Sequence, residues 1–332
     1  MAGIAIHGFG RIGRSTLKAA LRDERFVPIS VSDIRDTETF AALFKADTNY
    51  GLWPEEVTAK PDGFVIGGRE ITYFNSMDEL PDWKALGVDL VIDCTGRATT
   101  REGAQAHIDR GAKHVLVSAA SKTREDADAF LLPGVNLDEY DPDTHKIVSM
   151  ASCTTNSLAT VVKILREQFD LQHGFFTTVH AYTNTQALTD QPMKDVRDSW
   201  AAAENVIPSS SGAAKALQFI WPDLKVTGKA YRVPVRTGSI AEINAVLGRS
   251  TTVEELRDAF RKAAKSKEMG DVLDVLEGEW ASARILGDPH GALIDLPLVQ
   301  VMEGNLVSIA SWYDNEMGYA SQLAATAARL AG

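Results

Sequence analysis

Ile4-Ala5-Ile6-His7-Gly8-Phe9-Gly10-Arg11-Ile12-Gly13 is a short apolar run that gives way to three glycines. A helical pattern from Arg11 to Arg22 and a second apolar run from Val27 to Ser32 follow, which together read as a βαβ opening. Glycines at these spacings permit a tight turn, close approach of the backbone to a pyrophosphate, and close packing of the helix, whose N-terminus faces the anion. Asp33 lies 33 − 13 = 20 residues beyond Gly13, at the end of the second run. An acidic side chain there accepts hydrogen bonds from ribose hydroxyls and repels an added 2′-phosphate, so it favours NAD over NADP. Arg35, two residues on, weighs the other way, and the plain alternative for Asp33 is a turn residue after a strand.

Outward from this loop, Val88 to Cys94, Val115 to Ser118 and Ile147 to Ser149 read as further buried strands of a mostly parallel sheet. Thr95-Gly96 follows one of them, at the carboxyl edge where such sheets bind ligands. Beyond Cys153 the texture changes. Phe175 to Tyr182, Lys229 to Pro234, Ser239 to Leu247, Leu293 to Met302 and Leu306 to Tyr313 look like longer strands, and Asn315 to Leu330 is an alanine-rich helical segment. The fold class expected is α/β: a doubly wound (Rossmann) parallel sheet in residues 1–152, then a second α+β domain with a mixed or antiparallel sheet in residues 153–314. Residues 315–332 are expected to pack back on the first domain.

The 332 residues carry a formal charge of −11, which argues against a nucleic-acid partner. There is no apolar run long enough for a membrane span and no signal-peptide pattern before the glycine loop, so the expectation is a cytoplasmic chain without a membrane partner. Two cysteines, Cys94 and Cys153, are too few for a disulfide framework or a thiolate zinc site, and no metal is expected.

Leu158, Val161, Val162 and Leu165 repeat at helical spacing after Ser152-Cys153-Thr154-Thr155-Asn156, which places Cys153 at a helix N-terminus. Free N–H groups and the macrodipole there favour a negative sulfur and lower the thiol pKa from about 8.5 towards neutrality. His180 ends the strand from Phe175 and is a candidate base for that sulfur. The bland readings are a structural histidine and a core cysteine; for Cys94 the core reading is preferred. Ser209-Ser210-Ser211-Gly212 opens another helical stretch, either as simple caps or as an oxyanion site.

The segments Ile6 to Arg14, Ser149 to Asn156, Val179-His180-Ala181-Tyr182-Thr183-Asn184 and Ser311-Trp312-Tyr313-Asp314-Asn315-Glu316 occur in the order found in the glyceraldehyde-3-phosphate dehydrogenase family, which this chain resembles along its length. The resemblance implies that Cys153 is the nucleophile of a hemithioacetal and acyl thioester, with His180 as its base. It implies a substrate-phosphate pocket at Thr183 and Arg232, a pocket for attacking inorganic phosphate at Ser152, Thr154, Ser211 and Gly212, and a nicotinamide held by Asn315. Gly8, Gly10, Arg11, Ile12, Gly13, Asp33, Thr95 and Gly96 complete the expected NAD site. It further implies glyceraldehyde 3-phosphate as the aldehyde, and a homotetramer. Asp198 stands where the family's pattern has an arginine for inorganic phosphate, and Thr185, His7, Met317 and Arg236-Thr237-Gly238 also depart from the pattern. Replacing plus by minus at about 6 Å and an effective dielectric of about 20 opposes phosphate by roughly 2 to 3 kcal/mol per unit charge before screening. The alternative expectation is therefore a relative that hydrolyses its thioester, such as one acting on erythrose 4-phosphate.

Overall fold

The computed structural model describes residues 2–75 and 79–332. Met1 and residues 76–78, inside the first expected domain, lie outside the described residues. Two units emerge: Met1–Leu131, Asn136–Ala151 and Ala320–Gly332 form one, and Leu132–Val135 with Ser152–Tyr319 form the other.

The first unit is built on a nine-stranded sheet. Its centre is the strand Ile4–His7, paired in parallel with Ser30–Asp33 on one side and Leu90–Asp93 on the other. His114–Val117 and Ile147–Ser149 extend the parallel part, all of them apolar runs buried on both faces. The helix Arg11–Arg22 forms the first crossover, with its bounds as the periodicity implies. The far edge was not legible as strands. Val57–Lys60, Gly63–Ile66 and Arg69–Asn75 form an antiparallel meander, whose last strand adds in parallel to Ser30–Asp33. Its alternation is interrupted by glycines and charges that suit tight hairpins at a sheet margin.

Because the chain leaves the central strand towards one neighbour and returns towards the other, the loops after His7, Asp33 and Asp93 gather at one sheet edge around a switch point. Gly8 makes the turn with φ of 92°, where a Cβ would lie 2.7 Å from the Thr95 nitrogen. A Cβ on Gly13 would lie 2.1 Å from the Gly8 carbonyl oxygen, whereas one on Gly10 would meet nothing within 4 Å. Gly13 thus serves packing, and Gly10 leaves open space for a ligand.

The second unit has an eight-stranded mixed sheet. Leu171–Ala181 lies between Val226–Val233, its parallel neighbour, and Ser239–Leu247, its antiparallel one, and Leu306–Tyr313 follows next. Along Leu171–Ala181, Gly174, Phe176, Thr178 and His180 are buried while Phe175 and Val179 are exposed, the period of two that a strand imposes. The helix Cys153–Phe169 packs on the buried face, joining Leu158, Val161, Val162 and Leu165 to Phe176, Ile243 and Ile309 in one core. The single strand expected over Leu293 to Met302 is corrected: Ala292–Asp295 and Gln300–Met302 are separate strands, divided by the 3-10 turn Leu296–Leu298. Pro297 has no N–H for a ladder and breaks the run.

Substituting Gly13→Ala should force the glycine loop apart, lowering thermal stability and weakening dinucleotide binding by about tenfold or more. Fluorescence titration with NAD tests the binding; alkylation of Cys153, which lies in the other unit, should persist.

Candidate active site

In the first unit the expected cofactor residues share the carboxyl edge. No side chain caps the helix that Gly10 precedes, which leaves its N-terminal N–H groups to a ligand. The Arg11 guanidinium pairs with Asp47 at 2.9 Å, which leaves the backbone N–H groups of Arg11 and Ile12 as what this stretch can offer an anion. Asp33 accepts from the Phe9 N–H at 2.5 Å and the Ile34 N–H at 2.6 Å, which holds its carboxylate against the loop. Asp93 receives the Thr95 N–H and hydroxyl at 3.0 and 2.8 Å, and so shapes the Thr95-Gly96 turn.

Behind this turn His7, Asp93 and His107 bring one ligand-type atom each within 4.8 Å of one another, all buried. The Trp83 indole N–H donates to His107 Nδ1 at 3.2 Å, so the ring's proton sits on Nε2, facing Asp93 at 3.2 Å. A cation there would need that nitrogen bare; hydrogen bonds already satisfy the group, and it does not fit a metal. Cys94 is half-buried, and desolvation pushes its thiol up to about 12.

In the second unit the expected nucleophile and its expected base meet. Ser152 caps the helix by accepting the Thr155 N–H at 3.2 Å, making Cys153 the first helical residue. Ala151, just before it, holds a left-handed φ of 55°, uncommon without glycine and characteristic of strained functional turns. His180 occupies the last but one position of its strand, on the face that the helix covers, and Cys153 Sγ lies 3.4 Å from His180 Nε2. Arg232 is paired in register with His180 on the neighbouring strand, so their side chains lie together.

His180 Nδ1 lies 2.6 Å from the Ala181 carbonyl oxygen and is also approached by the Arg232 guanidinium. The carbonyl requires a proton on Nδ1, whereas the guanidinium requires a lone pair. Arg232 also reaches the same carbonyl at 3.3 Å, so we assign the proton to Nδ1. Nε2 is then a bare acceptor facing the thiol. Burial, reinforced by the Arg232 charge, holds the imidazole down to about 3. Burial also pushes the Cys153 thiol up, against the pull of Arg232 and of hydrogen bonds from Thr154. Desolvation thus opposes the ionised sulfur expected from helix position, while Arg232 and the hydrogen bonds from Thr154 favour it.

The other expected residues are distributed around this pair. The Thr154 hydroxyl turns inward to the Tyr313 hydroxyl at 2.9 Å, which also contacts Thr178 at 2.8 Å. Ser211 and Gly212 open the helix Ala213–Ile220 after a strand in which Ile207 pairs with Arg232. Thr183 gives its N–H to Gln186 Oε1 at 2.9 Å, and the Gln186 amide gives a hydrogen bond to Asp198 at 2.9 Å. Asp198 therefore orients Gln186 beside Thr183. Arg232 Nε is buried without any partner among the described residues, a donor awaiting an acceptor. Asn315 is buried, its Oδ1 3.0 Å from both the Gly238 nitrogen and the Ser239 hydroxyl. Thr178, Gln186, Ser239 and the Tyr313 hydroxyl were not singled out from sequence; strand alternation was the available signal for Thr178.

Residues 2–101 match the family described as glyceraldehyde 3-phosphate dehydrogenase, NAD binding domain, and residues 152–315 match its C-terminal domain. The chain belongs to the glyceraldehyde-3-phosphate dehydrogenase family. A glyceraldehyde-3-phosphate dehydrogenase of Kitasatospora aureofaciens is 44% identical over 336 residues, covering 100% of this chain and 99% of its own. One from Geobacillus stearothermophilus is 41% identical, with 99% and 98% covered, and glyceraldehyde-3-phosphate dehydrogenase 2 of Bacillus subtilis is 40% identical, with 96% and 94% covered. No helix among the described residues is long and apolar enough to cross a membrane.

Burial of the His180 ring makes the stability of the fold depend on pH. With an unfolded pKa near 6.5 and a folded pKa of about 3, the unfolded chain takes the proton first as pH falls. Stability from keeping this ring neutral is complete above about pH 6.5 and is lost towards pH 3. Urea midpoints between pH 7 and 4 should therefore fall less steeply for His180→Asn than for the parent.

Proposed function

We propose that this chain oxidises glyceraldehyde 3-phosphate with NAD through a hemithioacetal and acyl thioester on Cys153, with inorganic phosphate as acyl acceptor. The observation that carries the mechanism is the 3.4 Å approach of Cys153 Sγ to a bare His180 Nε2 at the start of a helix. Family membership over the chain's full length supports the substrate and the cofactor.

The steps follow from the contact between Cys153 Sγ and His180 Nε2. As Sγ adds to the aldehyde carbon, its proton passes to His180 Nε2. The imidazolium returns that proton to the new oxyanion, which the Cys153 backbone N–H also faces, completing the hemithioacetal. His180 then accepts the hydroxyl proton as the carbon is oxidised to the thioester. Bound NAD supplies the hydride acceptor for that step. Phosphate oxygen attacks the thioester carbon, the sulfur leaves with its electron pair, and the imidazolium returns the proton.

Several placements support the binding roles. The unpartnered Arg232 Nε and the nearby Thr183 suit the substrate's phosphate. Ser211, whose hydroxyl accepts the Ala213 N–H at 3.3 Å, and Gly212, at the start of the same helix, suit the attacking phosphate together with Ser152 and Thr154. Gly8, Gly10, Arg11, Ile12, Gly13, Asp33, Thr95 and Gly96 would hold NAD, and Asn315 its carboxamide. Phe175, 66% exposed, and Met302, 63% exposed, place large apolar groups on the outer face of the second sheet, which supports a homotetramer. Two unpaired cysteines suit the cytoplasm.

The test offers purified protein phosphorylated and plain aldehydes, with NAD or NADP, with and without phosphate. Glyceraldehyde 3-phosphate, NAD and phosphate should together give acyl phosphate; phosphate-independent release of free acid would remove phosphate as acceptor. Cys153→Ala should abolish turnover, and His180→Asn should lower kcat by roughly 10²- to 10⁴-fold. In the same assay Asp33→Ala should raise relative use of NADP; an unchanged preference would show that Asp33 is not the discriminator.

A further inference from the structure

Asn315 is 6% exposed, yet its two amide donors have no partner among the described residues. All of its hydrogen bonds arrive at Oδ1: the Gly238 N–H at 3.0 Å, the Ser239 hydroxyl at 3.0 Å and the Thr237 hydroxyl at 3.4 Å. The orientation is forced by chemistry. A backbone N–H can only donate, so the atom facing Gly238 is the amide oxygen. Ser239 Oγ accepts the Ala181 N–H at 3.2 Å, which leaves its own proton for Asn315. Thr237 is nearer to Asp314, at 3.1 Å, and serves as a weaker third contact.

The arrangement has a second end. Ala181 follows His180 in the chain, so one hydroxyl ties the backbone beside the base to the amide of Asn315. Ser239 is 1% exposed and pairs with Tyr313 in the ladder, which places it under both groups without access to solvent.

We propose that Ser239 is a positioning residue: it locks the Asn315 amide with Oδ1 inward and NH₂ outward, so that Asn315 presents only donors and recognises the carbonyl oxygen of the cofactor's carboxamide. This rests on the reading of Asn315 as the nicotinamide contact. A ring held through that oxygen has one fixed rotation about its bond to the ribose, and the hemithioacetal then meets one defined face.

The experiment is a double-mutant cycle in the full-length protein, with kcat/KM for NAD as the measure. Ser239→Ala removes one hydroxyl with little change in volume. It should lower kcat/KM for NAD by about tenfold, leave KM for the aldehyde and the rate of Cys153 alkylation by iodoacetamide near those of the parent, and lose its effect in an Asn315→Ala background. Ser239→Thr, which keeps a hydroxyl, should recover most of the loss. An unchanged kcat/KM in Ser239→Ala, or a tenfold loss that persists when Asn315 is alanine, would overturn the proposal. If Asn315→Ala itself left kcat/KM for NAD unchanged, the underlying assignment of Asn315 would fail instead.

Discussion

The 3.4 Å contact between Cys153 Sγ and His180 Nε2 exists because two regular elements end at the same place. The helix Cys153–Phe169 lies on the buried face of the strand Leu171–Ala181, and the period of two along that strand turns Phe176, Thr178 and His180 towards it. A shift of one residue in strand register would send His180 to solvent and bring Val179 inward, leaving the sulfur without a base. The large core around Phe176, Ile243 and Ile309 therefore sets the register on which the chemistry depends.

Burial gives this pair its character. A helix N-terminus favours a negative sulfur, but desolvation at the same position raises the thiol and lowers the imidazole, and Arg232 acts on both in the direction that its positive charge requires. The unpartnered Arg232 Nε and the outward amide of Asn315 belong to the same design: donors kept free for an incoming ligand and surrounded by groups that are already satisfied.

Asp198 alters the surroundings in a way the family pattern does not supply. Its carboxylate fixes the Gln186 amide, whose oxygen accepts the Thr183 N–H, so a negative charge and an engaged donor stand where the resemblance led to the expectation of an arginine. Thr185 takes part as well, receiving a hydrogen bond from Gln186 at 2.9 Å. The two departures at 185 and 198 thus form one connected polar cluster.

Sequence alone determined the doubly wound opening, because three glycines, the helical pattern that follows them and Asp33 are local features whose spacing follows from backbone geometry. It also determined the segments Ile4–His7, Arg11–Arg22, Ile147–Ser149, Ser239–Leu247 and Leu306–Tyr313, where hydrophobic period and turn chemistry agree. The edge meander and the break at Pro297 were less legible, since short charged strands and a ladder interrupted by one residue leave a weak periodic signal. Only the tertiary structure decided the desolvation of Cys153 and His180, the hydrogen-bond partners of the His180 ring, the inward turn of the Thr154 hydroxyl, and the hydrogen bonds gathered on Asn315 Oδ1. These depend on which groups from distant segments exclude water and meet within hydrogen-bond distance, and such distances are set by packing and not by order along the chain.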